Sequence, residues 1–180
     1  MNFKRIVLSL PAIFAMGMAG PVQATGTFEE HKHLYDTIHS HGVRVVINDP
    51  KYCPQGVDGL YASRERILSV CQDDADYTND EVDWTLNDLD TLRHEAHHMI
   101  QDCVLGGLGD GQLAHLFSDP AEQEAFIKSV LSEREAQYLM GNDSYSGHSQ
   151  YRQLIELEAF ATARVVPPLE IADMMNRVCR

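Results

Sequence analysis

Apolar positions change their period along this chain, and each change marks an element. Ile6 to Gly20 is uncharged and mostly small or apolar. Thr27 then opens a Thr-x-x-Glu capping box with Glu30, and Phe28, Leu34, Tyr35 and Ile38 recur at helical spacing until Gly42. Three strand-like runs follow: Val43–Ile47, Val57–Tyr61 and Arg66–Cys71, the last two separated by a polar turn at Ala62–Glu65. They predict a small antiparallel sheet. The strongest helix comes next. Thr85 is its N-cap with Asp88 three residues on, and Trp84 and Leu89 are placed for a hydrophobic staple. Leu86, Leu89, Leu92, Ala96, Met99 and Cys103 form its apolar stripe. Gly106, Gly107, Gly109 and Gly111 end it; glycines that follow a helix rather than a strand make no phosphate loop.

Asp119-Pro120 starts a further helix that runs through Phe126, Val130 and Leu131 toward Gly141. A polar loop, Asn142–Ser149, leads to a helix over about Gln150–Val165, stopped by Pro167-Pro168. A last helix carries Leu169, Ala172, Met175 and Val178. The fold class is therefore α+β, with the small sheet packed on a helical core around the central helix.

The first residues read as an address. Lys4 and Arg5 precede the uncharged run, and Val22 and Ala24 put small residues at −3 and −1 of a cut. The run is about 15 residues, short of the roughly 20 that a spanning helix needs, and Pro11, Gly17 and Gly20 break it. This divides the chain into a signal peptide, 1–24, and one domain, 25–180. Export makes the destination periplasmic or secreted, with no membrane span in the mature form. Removing Lys4 and Arg5 with the leader takes the formal charge from −13 to −15. Such acidity argues against nucleic acid and against anionic membranes as partners, and favours neutral or basic substrates. The oligomeric state is not legible.

The four cysteines all lie beyond the cut and read as two disulfides in an exported chain. Of the three pairings we favour Cys53–Cys71 with Cys103–Cys179. A cysteine zinc site lacks any C-x-x-C spacing. The acidic stretch Asp73–Asp83 faintly resembles a calcium loop at Asp74, Asp76 and Thr78. It lacks the glycine and terminal glutamate of one, so it reads as a solvated loop.

The chemistry concentrates at His94-Glu95-Ala96-His97-His98, a His-Glu-x-x-His in the middle of the central helix. Spacing i, i+4 puts His94 and His98 on one face, able to reach one ion. Glu95 beside them is placed to act on a zinc-bound water as general base. His97 is rotated about 100° from His98 and belongs to the surroundings or the surface. A third ligand is required. A histidine six residues after His98 would supply it, but that position is Val104; His115 and His148 lie in loops. Glu156 and Glu158 on the Gln150–Val165 helix are better candidates. Two glutamates two apart cannot both face one ion. Glu158 has the more apolar neighbours, Leu154, Ile155 and Ala161, and is favoured; Glu156 is the alternative.

This pattern resembles the gluzincin branch of the zincin metallopeptidases: HExxH, then Glu-x-x-Ala on a later helix. Together with Asp58-Gly59-Leu60-Tyr61, Arg66–Cys71 and Gln101-Asp102-Cys103, it is similar to small exported metallopeptidases of bacteria and their viruses that have no assigned substrate. In gluzincins the ligand glutamate is commonly followed by a small residue three on and a polar one four on, which Glu158 matches through Ala161 and Thr162. Some zincins show Glu-x-Glu-Ala with the first glutamate ligating, which would be Glu156. The resemblance implies a Zn2+ cofactor, a peptide or protein substrate, an oxyanion donor such as Tyr145, His148 or Tyr151, and a substrate-pairing edge strand, here Arg66–Cys71. The rival readings are a zincin-fold binding protein without turnover and an acidic, disulfide-stapled binding module with incidental histidines.

Overall fold

The computed structural model describes residues 26–72, 84–141, 145 and 147–179. The leader 1–24 and the acidic stretch 73–83 lie outside them. Helix α1, Phe28–Ser40, begins where expected. The Thr27 hydroxyl accepts from the Glu30 N–H at 3.3 Å, and the Glu30 carboxylate accepts from the Thr27 N–H at 2.6 Å. These two bonds satisfy donors that a helix start otherwise leaves open. Gly42, at φ 78°, then turns the chain into strand β1, Arg44–Ile47.

Strand β2, Gly59–Ala62, and strand β3, Ile67–Val70, are joined through a short 3-10 turn, Ser63–Glu65. The strand order is β1-β3-β2. β3 pairs antiparallel with β2, Leu60 opposite Ser69, but parallel with β1, Val45 opposite Leu68. The sheet is therefore mixed, not antiparallel, and β3 is its centre, not its edge. The burial explains why. All four β3 residues are inaccessible, and a strand covered on both faces reads as a continuous apolar run rather than an alternation. Among the described residues the free edges belong to β1 and β2.

Helix α2, Leu86–Cys103, carries the same reciprocal cap, Thr85 with Asp88. Helices α3, Pro120–Val130, and α4, Glu133–Met140, replace the single helix expected there. Ser132 and Glu135 form a third capping box, which restarts the chain after an extended, buried Leu131. Helix α5, Gln150–Val165, is capped by Ser149, and α6, Pro168–Val178, follows Pro167. One core joins Leu34 and Ile38 of α1, Val45 and Leu68 of the sheet, Leu92, Ala96 and Met99 of α2, and Ile171 and Met175 of α6. A smaller cluster, Ile127, Val130, Leu131 and Ala161, seats α3 on α5.

Both favoured disulfides are present. Cys53–Cys71 ties the segment after β1 to the end of β3. Cys103–Cys179 ties the end of α2 to the end of α6, closing a separation of 76 residues. Disulfides suit an oxidising, exported setting. No helix among the described residues is long and apolar enough to cross a membrane.

One buried polar contact in this core has a pH consequence. Arg93 is fully buried, and its guanidinium donates to Nε2 of buried His31 at 3.0 Å and to the Asp90 carboxylate. Arginine only donates, so Nε2 of His31 accepts and its Nδ1–H donates to the Thr27 carbonyl at 2.8 Å. His31 is thereby neutral. Burial holds its pKa below the ordinary 6.5, with the Arg93 charge adding to that against the Thr27 carbonyl and nearby carboxylates. The unfolded chain binds this proton more readily than the folded one, so stability falls as pH drops below about 6.5. The melting temperature is expected to fall between about pH 7 and pH 5, and to fall less in His31→Gln. Equal slopes in the two proteins would refute this.

Candidate metal centre

Two capped helices build the site. α2 presents His94 and His98 one turn apart, and α5 packs alongside it and projects Glu156 between them. His98 Nε2 lies 3.1 Å from His94 Nε2 and 3.0 Å from Glu156 Oε2; His94 Nε2 lies 3.5 Å from the same oxygen. These three side chains form a group able to hold a metal ion, and all three are buried. The fit is specific. A tetrahedral ion with arms of about 2.0–2.1 Å spaces its ligand atoms by roughly 3.3–3.4 Å, close to the distances seen. Three acceptor-capable atoms converging out of water also require a cation or protons between them.

The carboxylate that meets the histidine pair is Glu156, the residue ranked second from the sequence. Glu158 points elsewhere and is wholly inaccessible. Its Oε1 meets His97 Nε2 at 3.0 Å, Gln101 Nε2 at 3.1 Å and the Leu116 N–H at 3.2 Å, and its Oε2 accepts from Gln123 Nε2 at 2.7 Å. His115 Nδ1 stands 3.7 Å from Oε2. The apolar neighbours of Glu158 signalled depth, not a ligand. A reacting ion needs some access, and the group that keeps it is His94, Glu95, His98 and Glu156, each 5–8% exposed.

His97 belongs to the surroundings, joined to Glu158. His115 bonds Gln123 at 2.5 Å and meets the Tyr151 ring edge to face; the Tyr151 hydroxyl donates to the Leu113 carbonyl at 3.0 Å. His148 lies against the Tyr145 ring. Phe160, four residues after Glu156, packs on the His94 ring at 4.3 Å between centroids. Gln101 and Gln123 were missed. Gln101 alone had a signal, its place one turn after His98.

Glu95 is turned toward the sheet rather than into the ligand group. The Cys71 N–H bonds the Asp58 carbonyl at 2.7 Å, so the backbone groups of Gly59 and Tyr61 point away from β3 along the free edge of β2. The Tyr61 N–H on that edge faces the Glu95 carboxylate and favours its charged form. A side chain at Gly59 would collide here: its Cβ would sit 2.5 Å from Thr91 Cγ2 and 3.0 Å from Glu95 Cγ.

Burial sets the protonation pattern. It raises Glu95 to about 7, with the Glu156 and Asp58 charges adding to it and His98 and the Tyr61 N–H opposing it. Burial lowers His94 to about 4 despite Glu156. Glu156 stays ionised: burial works against it, but the charge of His98 and hydrogen bonds from both histidines prevail. Burial would lower His98, yet Glu156, Glu95 and Gln101 lift it to about 9, so His98 takes the proton where an ion would sit. Tyr145 is raised by burial and by the charges of Glu156, Glu95 and Asp58, so its phenol keeps its proton.

Comparison with known proteins adds no assignment: no family model, no curated protein and no solved structure matches the chain.

Proposed function

We propose that the chain is an exported zinc-dependent metallopeptidase, with His94, His98 and Glu156 as ligands and Glu95 as general base. The observation that carries this reading is the convergence of the three ligand atoms beside a buried carboxylate held near neutrality. Incidental histidines on a solvated helix face would be exposed, whereas His94, Glu95, His97 and His98 are all buried. Their donor set, two imidazoles and a carboxylate, suits zinc and leaves a fourth position open.

A zinc ion there supplies Lewis acidity, which polarises a carbonyl and brings a water toward ionisation at neutral pH. Glu95 takes the proton from the attacking water as its oxygen bonds the scissile carbonyl carbon. When the carbon–nitrogen bond breaks, Glu95 returns that proton to the leaving amine. The Tyr61 N–H, facing Glu95, favours its carboxylate form before it takes up the proton. Tyr145, protonated and within electrostatic reach of Glu95 and Glu156, is the donor for the developing oxyanion. Tyr151 is engaged at Leu113 and does not compete for this role. The free edge of β2, which Gly59 lets Thr91 and Glu95 of α2 approach closely, is the strand along which an extended peptide adds.

The test is cleavage of a diverse peptide library by the mature chain. Cleavage is expected to stop with a zinc chelator and to return on adding zinc back. Zinc uptake with no cleavage of any peptide would leave a metal-binding protein and overturn the enzymatic reading.

A further inference from the structure

His98 is held through its second nitrogen, and the side chain that holds it is itself fixed. His98 Nδ1 lies 2.7 Å from Gln101 Oε1, one turn along α2. The Gln101 amide nitrogen lies 3.1 Å from the Ile155 carbonyl oxygen and 3.1 Å from Glu158 Oε1. A backbone carbonyl only accepts, so the amide's NH2 end must face Ile155 and its oxygen must face His98. The atom facing that oxygen must then donate. His98 therefore keeps a proton on Nδ1 in either charge state, so the proton that an ion would displace is the one on Nε2, the atom that faces His94 and Glu156. All of Gln101, Glu158 and His98 are buried, so water does not offer a substitute partner. His94 has no such device: its Nδ1 has no hydrogen-bond partner among the described residues, and its ring is seated by Phe160.

The geometry points to Gln101 as the positioning residue of the metal centre, clamped from α5 by Glu158 and the Ile155 carbonyl so that His98 presents Nε2 as a ligand. This rests on the metal reading above. It gives Glu158 a part in metal binding at two hydrogen bonds' remove, without ligation. It also couples the helix pair to the ion, because α5 supplies Glu156 as a ligand and Ile155 and Glu158 as the clamp.

The test is zinc affinity of the full mature chain, by competition with a chromophoric chelator, alongside thermal stability of the metal-free protein. Gln101→Leu removes the acceptor for His98 and is expected to weaken zinc about 10–100-fold. Gln101→Glu keeps an acceptor there but sets a carboxylate against Glu158 and the Ile155 carbonyl. It is expected to bind zinc within a few-fold of wild type while melting lower than Gln101→Leu. The two variants thus rank in opposite orders for stability and for affinity, which a purely structural role would not produce. Should Gln101→Glu fail to fold, the exchange Gln101→Glu with Glu158→Gln restores an amide donor to the pair and carries the same expectation. Zinc bound equally by wild type and Gln101→Leu, or affinities that simply follow stability, would overturn the clamp alone. Failure of the wild-type chain to take up zinc would overturn the metal reading and the clamp together.

Discussion

Glu95→Gln is expected to lower peptide cleavage by about 10²–10⁴-fold while leaving metal content unchanged. Glutamine keeps the shape of the side chain but cannot take up the proton that the attacking water must lose. Glu95 is not part of the group that would hold the ion, so the substitution spares the ligands. It also spares the packing beside Thr91 and Gly59, because the amide fills the space of the carboxylate that it replaces. Cleavage rates per bound zinc therefore separate the chemistry from the binding. A variant that lost its metal would mean Glu95 has a ligating or structural role. A variant that kept both metal and activity would remove the general base from the account.

The second large effect distinguishes the two glutamates of α5. Glu156→Ala is expected to lose stoichiometric metal, and with it the rise in melting temperature that zinc gives the wild type. A ligand that binds only the folded state at about 1,000 times its Kd adds roughly 4 kcal/mol, so that rise is large. The metal-free variant should fold, since among the described residues the hydrogen bonds and ion pairs of Glu156 go to the other two ligands. Glu158→Ala is expected to keep stoichiometric metal, weakened only as far as the Gln101 clamp loosens, and to lose stability instead. It strands the amide groups of Gln101 and Gln123, the Leu116 N–H and the His97 ring in a region closed to water. Losing one member of a buried charged network costs about 3–5 kcal/mol, while the three ligands remain. Metal lost in Glu158→Ala at retained stability would reverse the assignment.

That pair also shows what the chain's order of residues could and could not say. Two glutamates two apart occupy opposed sides of a helix, and the apolar neighbours of Glu158 identified the buried side correctly. Which buried side faces α2's histidines depends on how α5 rolls against α2, which is a tertiary fact with no local signature. The histidine pair was legible because i, i+4 spacing and the Thr85 cap are both local. The cysteine pairing was favoured from the elements it would join, and the structure has it. β3 was taken for the substrate-pairing edge on the resemblance, whereas its four buried residues are those of a strand covered on both faces. The break between α3 and α4 was written in Ser132 and Glu135, and the apolar period running through Leu131 hid it. Gln101 entered only as part of the resemblance, without a role, because a glutamine carries no chemistry of its own; its role exists only once Ile155 and Glu158 stand beside it.

The most direct measurement is metal content of the purified mature chain by mass spectrometry, run beside Glu156→Ala. The account expects one zinc ion per wild-type chain and none in the variant. A wild-type chain free of bound transition metal after exposure to zinc, or a variant that holds as much as the wild type, would contradict it.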